Sequence, residues 1–191
     1  MDKIRVMIVE DDPVWMKCIS DLVQKESDIV VVSQALTKEE VLDVDISSID
    51  VVLMDLTLSE EEDFDGLHLS RELFEKGLEK IIMLTSWDDP AIILESFDTG
   101  ATNYINKTSY KDIPKAIREA YVDKVSFNAD VSNLLINELR LERKASVLTP
   151  AEREVYKLKE KGLSRTQIAK KLFKSVETIK KQLKTIKEKI Q

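Results

Sequence analysis

Four short apolar runs in the first two thirds of the chain each end at a polar or charged residue. The runs are Ile4–Val9, Val51–Met54, Lys80–Leu84 and Ala101–Asn106. Their length and β-branched content predict buried strands, and segments with helical periodicity separate them. Strands that alternate with helices form a parallel sheet with helices packed on it. We therefore predict an α/β fold through about residue 125.

The polar residues at the run ends are expected to meet, because the carboxyl ends of parallel strands share one edge, where open α/β folds bind ligands. These residues are Glu10, Asp11, Asp55, Thr85 and Lys107. Clustered carboxylates repel one another unless a cation lies among them, and one lysine does not balance three acids. Mg2+ suits carboxylates combined with a phosphate. The predicted Mg2+ ligands are the side chains of Glu10, Asp11 and Asp55 and the backbone carbonyl of Thr57.

Asp55 is the predicted nucleophile, since carboxylates serve as covalent phosphate acceptors. Thr85 and Lys107 are expected to contact the phosphoryl oxygens, because such sites act mainly by positioning and charge stabilisation. Each residue also has a simpler interpretation. Asp55 alone suits a turn at a strand end, Lys107 alone suits a solvated lysine, and Asp12 suits a helix N-cap ahead of Pro13.

The length of 191 residues suits one or two domains. We expect the protein to be cytoplasmic. The sequence has no apolar run long enough to span a bilayer, and its first residues lead into a strand rather than a signal peptide, so we expect no membrane partner. The single Cys18 cannot form an internal disulfide, which suits a reducing compartment. His68 is the only histidine, which argues against a histidine-based catalytic triad.

Charge divides the chain into two parts. Residues 1–144 carry a net charge of −15 and residues 145–191 a net charge of +8. This asymmetry predicts different partners for the two parts. The segment 126–147, which includes the boundary between the two parts, has a partly periodic apolar pattern, and we predict a linker helix there.

The basic segment has the pattern of a small helical domain. Thr149, Pro150 and Glu152 predict a capping box at the start of a helix. Ser164 and Gln167 repeat the same spacing, and a further helix is predicted over 176–190. Short helices joined by a brief turn are typical of a helix-turn-helix unit.

The last predicted helix has two faces. Ile179, Leu183, Ile186 and Ile190 form an apolar stripe at helical spacing. The other face is rich in lysine, which suits phosphate and guanine contacts in DNA. A solvated lysine-rich helix is the alternative.

Four sequence segments of the first part together resemble the receiver domain of bacterial two-component response regulators. The segments are VMIVEDDPVW, DVVLMDLTL, IIMLTS and GATNYINKT. The resemblance implies a flavodoxin-like fold with a five-stranded parallel sheet over residues 1–125. It also implies Asp55 as the phospho-acceptor, Glu10 and Asp11 as the acidic pair that holds Mg2+, and a sensor histidine kinase as partner. The remaining matches are Thr85 as the switch hydroxyl, Tyr104 as the switch aromatic and Lys107 as the lysine of the site.

Residues 148–190 resemble the LuxR-type helix-turn-helix domain, through LTPAERE, GLSRTQIAKKL and SVETIK. This resemblance implies binding to double-stranded DNA. The residues that it assigns to the DNA are Thr178, Lys180, Lys181 and Lys184. Together the two parts resemble the NarL/FixJ class of transcription regulators, which implies dimerisation and altered promoter binding on phosphorylation.

Three features depart from these families. Leu58-Ser59 replaces the usual Met-Pro, and the acidic insertion 60–63 follows it, so we expect a longer and more negative loop beside Asp55. Gln182 replaces a histidine. The fourth helix expected after the recognition helix is absent from residues 148–191, naturally or by truncation.

Two other classes of function remain open. One is a phosphohydrolase of the haloacid dehalogenase type, which needs a second aspartate where this chain has Thr57. The other is a phosphorylation-independent regulator that binds DNA or protein through a degenerate receiver. A receiver that takes part only in its own phosphorylation and dephosphorylation is not an enzyme, and that is our expectation.

Overall fold

The computed structural model describes residues 2–58, 64–125 and 127–190. Its chain forms two compact units, Met1–Val131 and Ser132–Gln191. The acidic insertion 60–63, where we predict a longer loop, lies outside the described residues.

The N-terminal unit alternates strands with helices. The strands are β1 (Ile4–Val9), β2 (Ile29–Ala35), β3 (Val51–Met54), β4 (Ile81–Thr85) and β5 (Ala101–Asn106). The helices are α1 (Pro13–Val23), α2 (Lys38–Leu42), α3 (Asp65–Glu75), α4 (Pro90–Asp98) and α5 (Ile113–Tyr121), with 3-10 turns at Ile46–Ser48 and Lys107–Asp112.

The five strands form one parallel sheet in the order β2-β1-β3-β4-β5, which confirms the predicted flavodoxin-like architecture. Every residue of β3 and β4 is buried, as expected for strands covered on both faces. Val9 of β1 pairs with Met54 of β3, which in turn pairs with Met83 of β4. This register brings the carboxyl ends of the central strands side by side.

Aspartate side chains satisfy free N–H groups at the starts of α1 and α4. The Asp12 carboxylate accepts a 2.7 Å hydrogen bond from the Val14 N–H, and Pro13 occupies the first helical position. The cap predicted for Asp12 is confirmed. Asp89 caps α4 in the same way, through the Ala91 N–H.

The remaining helices are α6 (Ala129–Ala145), α7 (Pro150–Glu160), α8 (Arg165–Lys171) and α9 (Val176–Ile190). Both predicted capping boxes are present, at Thr149 with Glu152 and at Ser164 with Gln167. The apolar stripe of α9 faces the core of the C-terminal unit, with Ile179 fully buried.

One ion pair joins the first turn of α7 to the last turn of α9. The Lys189 ammonium lies 2.8 and 2.7 Å from the two carboxylate oxygens of Glu152. The same carboxylate accepts from the Thr149 N–H, so one side chain both caps α7 and holds the end of α9. Across the described ranges, none of the helices is long and apolar enough to cross a membrane.

Candidate functional site

Four strand ends bring ionisable and hydroxyl groups to one edge of the sheet. Glu10 follows β1, Asp55 follows β3, Thr85 ends β4 and Lys107 follows β5, and all four are buried. Asp11 lies beside Glu10 and is exposed. The structure therefore brings together the residues that the strand-end pattern placed at this edge.

Lys107 connects two of the carboxylates. Its ammonium donates 2.9 Å hydrogen bonds to Glu10 Oε1 and to Asp55 Oδ2, and it lies 2.7 Å from Glu10 Oε2. Asp55 Oδ1 accepts a 2.7 Å hydrogen bond from the Leu56 N–H. Both oxygens of Asp55 are thus held in place by hydrogen bonds.

Burial raises the pKa of Glu10 to about 7, and the charge of Asp55 adds to the shift against the opposing effect of Lys107. Burial also raises the pKa of Asp55 above its usual value, opposed by the Lys107 ammonium. Burial alone would lower the pKa of Lys107. The hydrogen bond to Glu10 and the charge of Asp55 outweigh that effect, and the pKa of Lys107 is raised.

The three carboxylates fit a hard divalent cation. Each of Glu10, Asp11 and Asp55 offers an oxygen, and these atoms lie within 4.8 Å of one another. An all-oxygen donor set with excess negative charge is the kind that Mg2+ binds. Thr57 lies two residues beyond Asp55. Its hydroxyl is buried and has no hydrogen-bond partner among the described residues.

The backbone of Trp87 lies between the two predicted switch residues. The Thr85 hydroxyl accepts a 3.2 Å hydrogen bond from the Trp87 N–H. The buried Tyr104 donates its hydroxyl proton to the Trp87 carbonyl at 2.6 Å. Burial raises the pKa of Tyr104, with a further contribution from the charge of Asp88, so the phenol keeps its proton.

The backbone after Asp55 is held by two residues that our sequence analysis did not assign to the site. A Cβ added at Gly66 would lie 2.0 Å from the Asp55 carbonyl oxygen, so only glycine fits there. The buried Asp65 carboxylate accepts from the Leu58 N–H at 2.7 Å and from the Gly66 N–H at 3.0 Å. Their sequence signal is an Asp-Gly pair at the start of a helix.

Two aromatic contacts at the site were also not predicted. The ring centroids of Phe64 and Trp87 lie 5.3 Å apart with an edge-to-face angle of 74°. The indole of Trp15 lies under the Lys107 ammonium, with 5.4 Å between Nζ and the ring centroid. Aromatic residues in loops and first helical turns gave no periodic pattern that would indicate these contacts.

The basic face of α9 carries all four residues predicted to contact DNA. Thr178, Lys180, Lys181 and Lys184 are exposed. Ser175 accepts a hydrogen bond from the Thr178 N–H at 3.0 Å, and the two hydroxyls lie 2.8 Å apart. Lysines project from α9 beside a groove of about 670 Å³ whose apolar lining includes Tyr156 and Leu183.

The family model of the response regulator receiver domain matches residues 6–118. The VraR response regulator of Staphylococcus saprophyticus is 30% identical over 193 residues, with 98% of this chain and 90% of that protein covered. The nitrate/nitrite response regulator homologue of Haemophilus influenzae is 28% identical, with 99% and 91% covered.

Two solved structures are similar along nearly the whole chain. The RcsB response regulator of Salmonella typhimurium has a TM-score of 0.69 at 26% identity, with 98% of this chain and 93% of that chain covered. An RcsB–DNA complex has a TM-score of 0.67 at 27% identity, with 99% and 92% covered. The chain belongs to the response regulator family.

Proposed function

We propose that Asp55 is the phospho-acceptor of this response regulator and that its phosphorylation controls DNA binding by the C-terminal helices. The observation that carries the proposal is the Lys107 ammonium, which bridges Glu10 and Asp55 at the strand-end edge of the sheet. A buried carboxylate that shares a bridging ammonium with a second buried acid is arranged for phosphoryl transfer rather than for a turn.

The phosphoryl donor is a phosphohistidine of a sensor histidine kinase. An Asp55 carboxylate oxygen attacks phosphorus, the new P–O bond forms, and the P–N bond breaks with the electron pair leaving on the imidazole. Lys107 lies 2.9 Å from Asp55 Oδ2 and offsets the charge that the phosphoryl group brings. The Thr85 hydroxyl accepts from Trp87 and still has its own proton to donate to a phosphoryl oxygen.

Mg2+ is the proposed cofactor, held by Glu10, Asp11, Asp55 and the backbone carbonyl of Thr57. Bound there, it neutralises the negative charge that the acidic residues and the phosphoryl group bring together. The protein acts as the acceptor in its own phosphorylation and is not a turnover enzyme.

The output is DNA binding in the cytoplasm. The basic face of α9 offers Thr178, Lys180, Lys181 and Lys184 to phosphates and base edges in a major groove. One similar structure holds two RcsB dimers bound to two parallel DNAs, and this supports a homodimer on DNA as the phosphorylated form of this chain. Dimerisation strengthens binding to paired half-sites.

The acceptor is tested by exposing the full chain to acetyl phosphate and Mg2+ and locating the added mass. We expect one phosphoryl group on Asp55 and none in Asp55→Asn. Asp12→Asn is the matched control, because asparagine keeps the helix cap and the residue lies outside the predicted acceptor role. A modification that persists unchanged in Asp55→Asn contradicts the assignment.

The output is tested by DNA affinity with and without beryllofluoride, which mimics the acyl phosphate, together with genome-wide binding of wild type and Asp55→Ala. We expect tighter binding with beryllofluoride and fewer occupied sites in Asp55→Ala. Equal affinity in both states would instead support a phosphorylation-independent regulator.

A further inference from the structure

The indole of Trp15 faces the ammonium that bridges the acidic cluster. Trp15 lies in the first turn of α1, whose start is fixed by the Asp12 cap, and Lys107 Nζ lies 5.4 Å from the centroid of its ring. The face of an indole carries partial negative charge and attracts a cation at this distance.

Trp15 also packs against a second aromatic residue, Tyr110. The ring of Tyr110 meets it edge to face, with centroids 6.1 Å apart and an interplanar angle of 75°. Tyr110 belongs to the 3-10 turn that begins at Lys107, and both aromatic residues pack on the main core of the N-terminal unit. The indole is therefore part of a packed surface and not a freely rotating side chain.

The Lys107 ammonium has two kinds of neighbour, carboxylates and an aromatic ring. Glu10 and Asp55 accept hydrogen bonds from it, whereas the Trp15 face attracts it without competing as a hydrogen-bond acceptor. A lysine side chain has many rotamers, and ordering it costs conformational entropy. We propose that Trp15 is a positioning residue, which keeps the Lys107 ammonium directed at the acceptor carboxylate and so speeds phosphoryl uptake. The inference rests on the proposed role of Asp55.

The test changes the electrostatics of the ring while leaving its size nearly the same. The chain has two tryptophans, so the full-length Trp87→Phe variant leaves Trp15 alone. That variant is produced with ordinary tryptophan or with indoles bearing increasing numbers of fluorine atoms, which progressively weaken the negative ring face. We expect the rate of Asp55 phosphorylation by acetyl phosphate at saturating Mg2+ to fall stepwise, by roughly tenfold across the series.

The control is Trp15→Phe with Trp87 retained, in which the same fluorination should leave the rate unchanged. A second readout needs neither metal nor phosphate: the ring current of Trp15 should shift the Lys107 ammonium resonance upfield, and Trp15→Leu should abolish that shift.

A flat rate series in protein that still accepts phosphate on Asp55 would overturn the inference, as would an unshifted Lys107 resonance. Failure of the unfluorinated protein to accept phosphate on Asp55 would instead overturn the proposed function, and the resonance would still decide whether the two side chains are in contact.

Discussion

The Tyr104 hydroxyl donates a 2.6 Å hydrogen bond to the backbone carbonyl of Trp87. The N–H of the same residue donates to the Thr85 hydroxyl. Movement of Thr85 toward a phosphoryl group would therefore shift the backbone that Tyr104 holds. The two hydrogen bonds to Trp87 thus connect the Thr85 hydroxyl to the buried aromatic ring of Tyr104 in β5.

Tyr104→Phe is expected to weaken this link without removing the acceptor. The lost hydrogen bond is worth about 1 kcal/mol, so the gain in DNA affinity on adding beryllofluoride should shrink roughly fivefold. Titration of DNA with and without beryllofluoride measures this gain. Tyr121→Phe, at a half-exposed tyrosine, is the control and should keep the full gain. An unchanged gain in Tyr104→Phe would refute the link.

Trp87→Ala is expected to shorten the lifetime of the acyl phosphate. The half-exposed indole packs edge to face on Phe64, whose backbone enters the α3 helix beside the acceptor loop. An aromatic pair of this kind is worth about 0.5–1.5 kcal/mol. If all of this energy goes into keeping the indole over the acyl phosphate, its loss in Trp87→Ala should accelerate hydrolysis roughly two- to tenfold. The decay of labelled phosphoprotein gives the half-time, with Trp87→Phe as the conservative control. Equal half-times in wild type and Trp87→Ala would argue against shielding.

Cation binding is expected to strengthen as pH rises toward 7. The pKa of Glu10 is raised to about 7, so the residue holds a proton below that pH and must lose it to bind Mg2+. Apparent Mg2+ affinity should fall by up to roughly tenfold per pH unit below this pKa. Glu10→Gln should remove most of this dependence, whereas Asp12→Asn should retain it. Isothermal titration at several pH values measures the slope.

Glu10 has the opposite pH effect on the stability of the metal-free fold, which is expected to fall as pH rises. The pKa of Glu10 rises from 4.5 to about 7 on folding, so the folded state binds more protons than the unfolded state between these values. The stability that this provides is present below pH 4.5 and is lost as pH rises to 7. Urea unfolding without Mg2+ should show this loss, and Glu10→Gln should not.

The ion pair between Glu152 and Lys189 predicts acid sensitivity in the C-terminal helices. The hydrogen bond from Lys189, and then that from the Thr149 backbone, lowers the pKa of Glu152 from 4.5 to about 2. Because the folded state favours the ionised Glu152 carboxylate, this residue stabilises the fold above pH 4.5. The contribution is lost as pH falls toward 2 and the carboxylate is protonated. Lys189→Met should lower the unfolding midpoint at pH 7, and the difference from wild type should shrink in acid. Lys187→Met, also on exposed α9 surface, should show no such difference.

Local patterns predicted those parts of the fold that short-range chemistry determines. The last helix, Val176–Ile190, follows directly from its apolar stripe, and the Thr149 capping box from its spacing. The strand-end residues were predictable because parallel strands share an edge. The left-handed backbone of Phe64, with φ of 60°, could not be predicted, because that conformation normally occurs at glycine or asparagine. The Trp15 contact with Lys107 depends on tertiary packing between α1 and the turn after β5.

The chain after Asp55 is fixed at two points. Leu58 is tied to Asp65 through its N–H, and Gly66 fits directly against the Asp55 carbonyl. Because both ends of the intervening segment are anchored to the acceptor loop, residues can be inserted or removed between them while the carboxylate keeps its position. The length and charge of this segment can therefore change without displacing the Asp55 carboxylate.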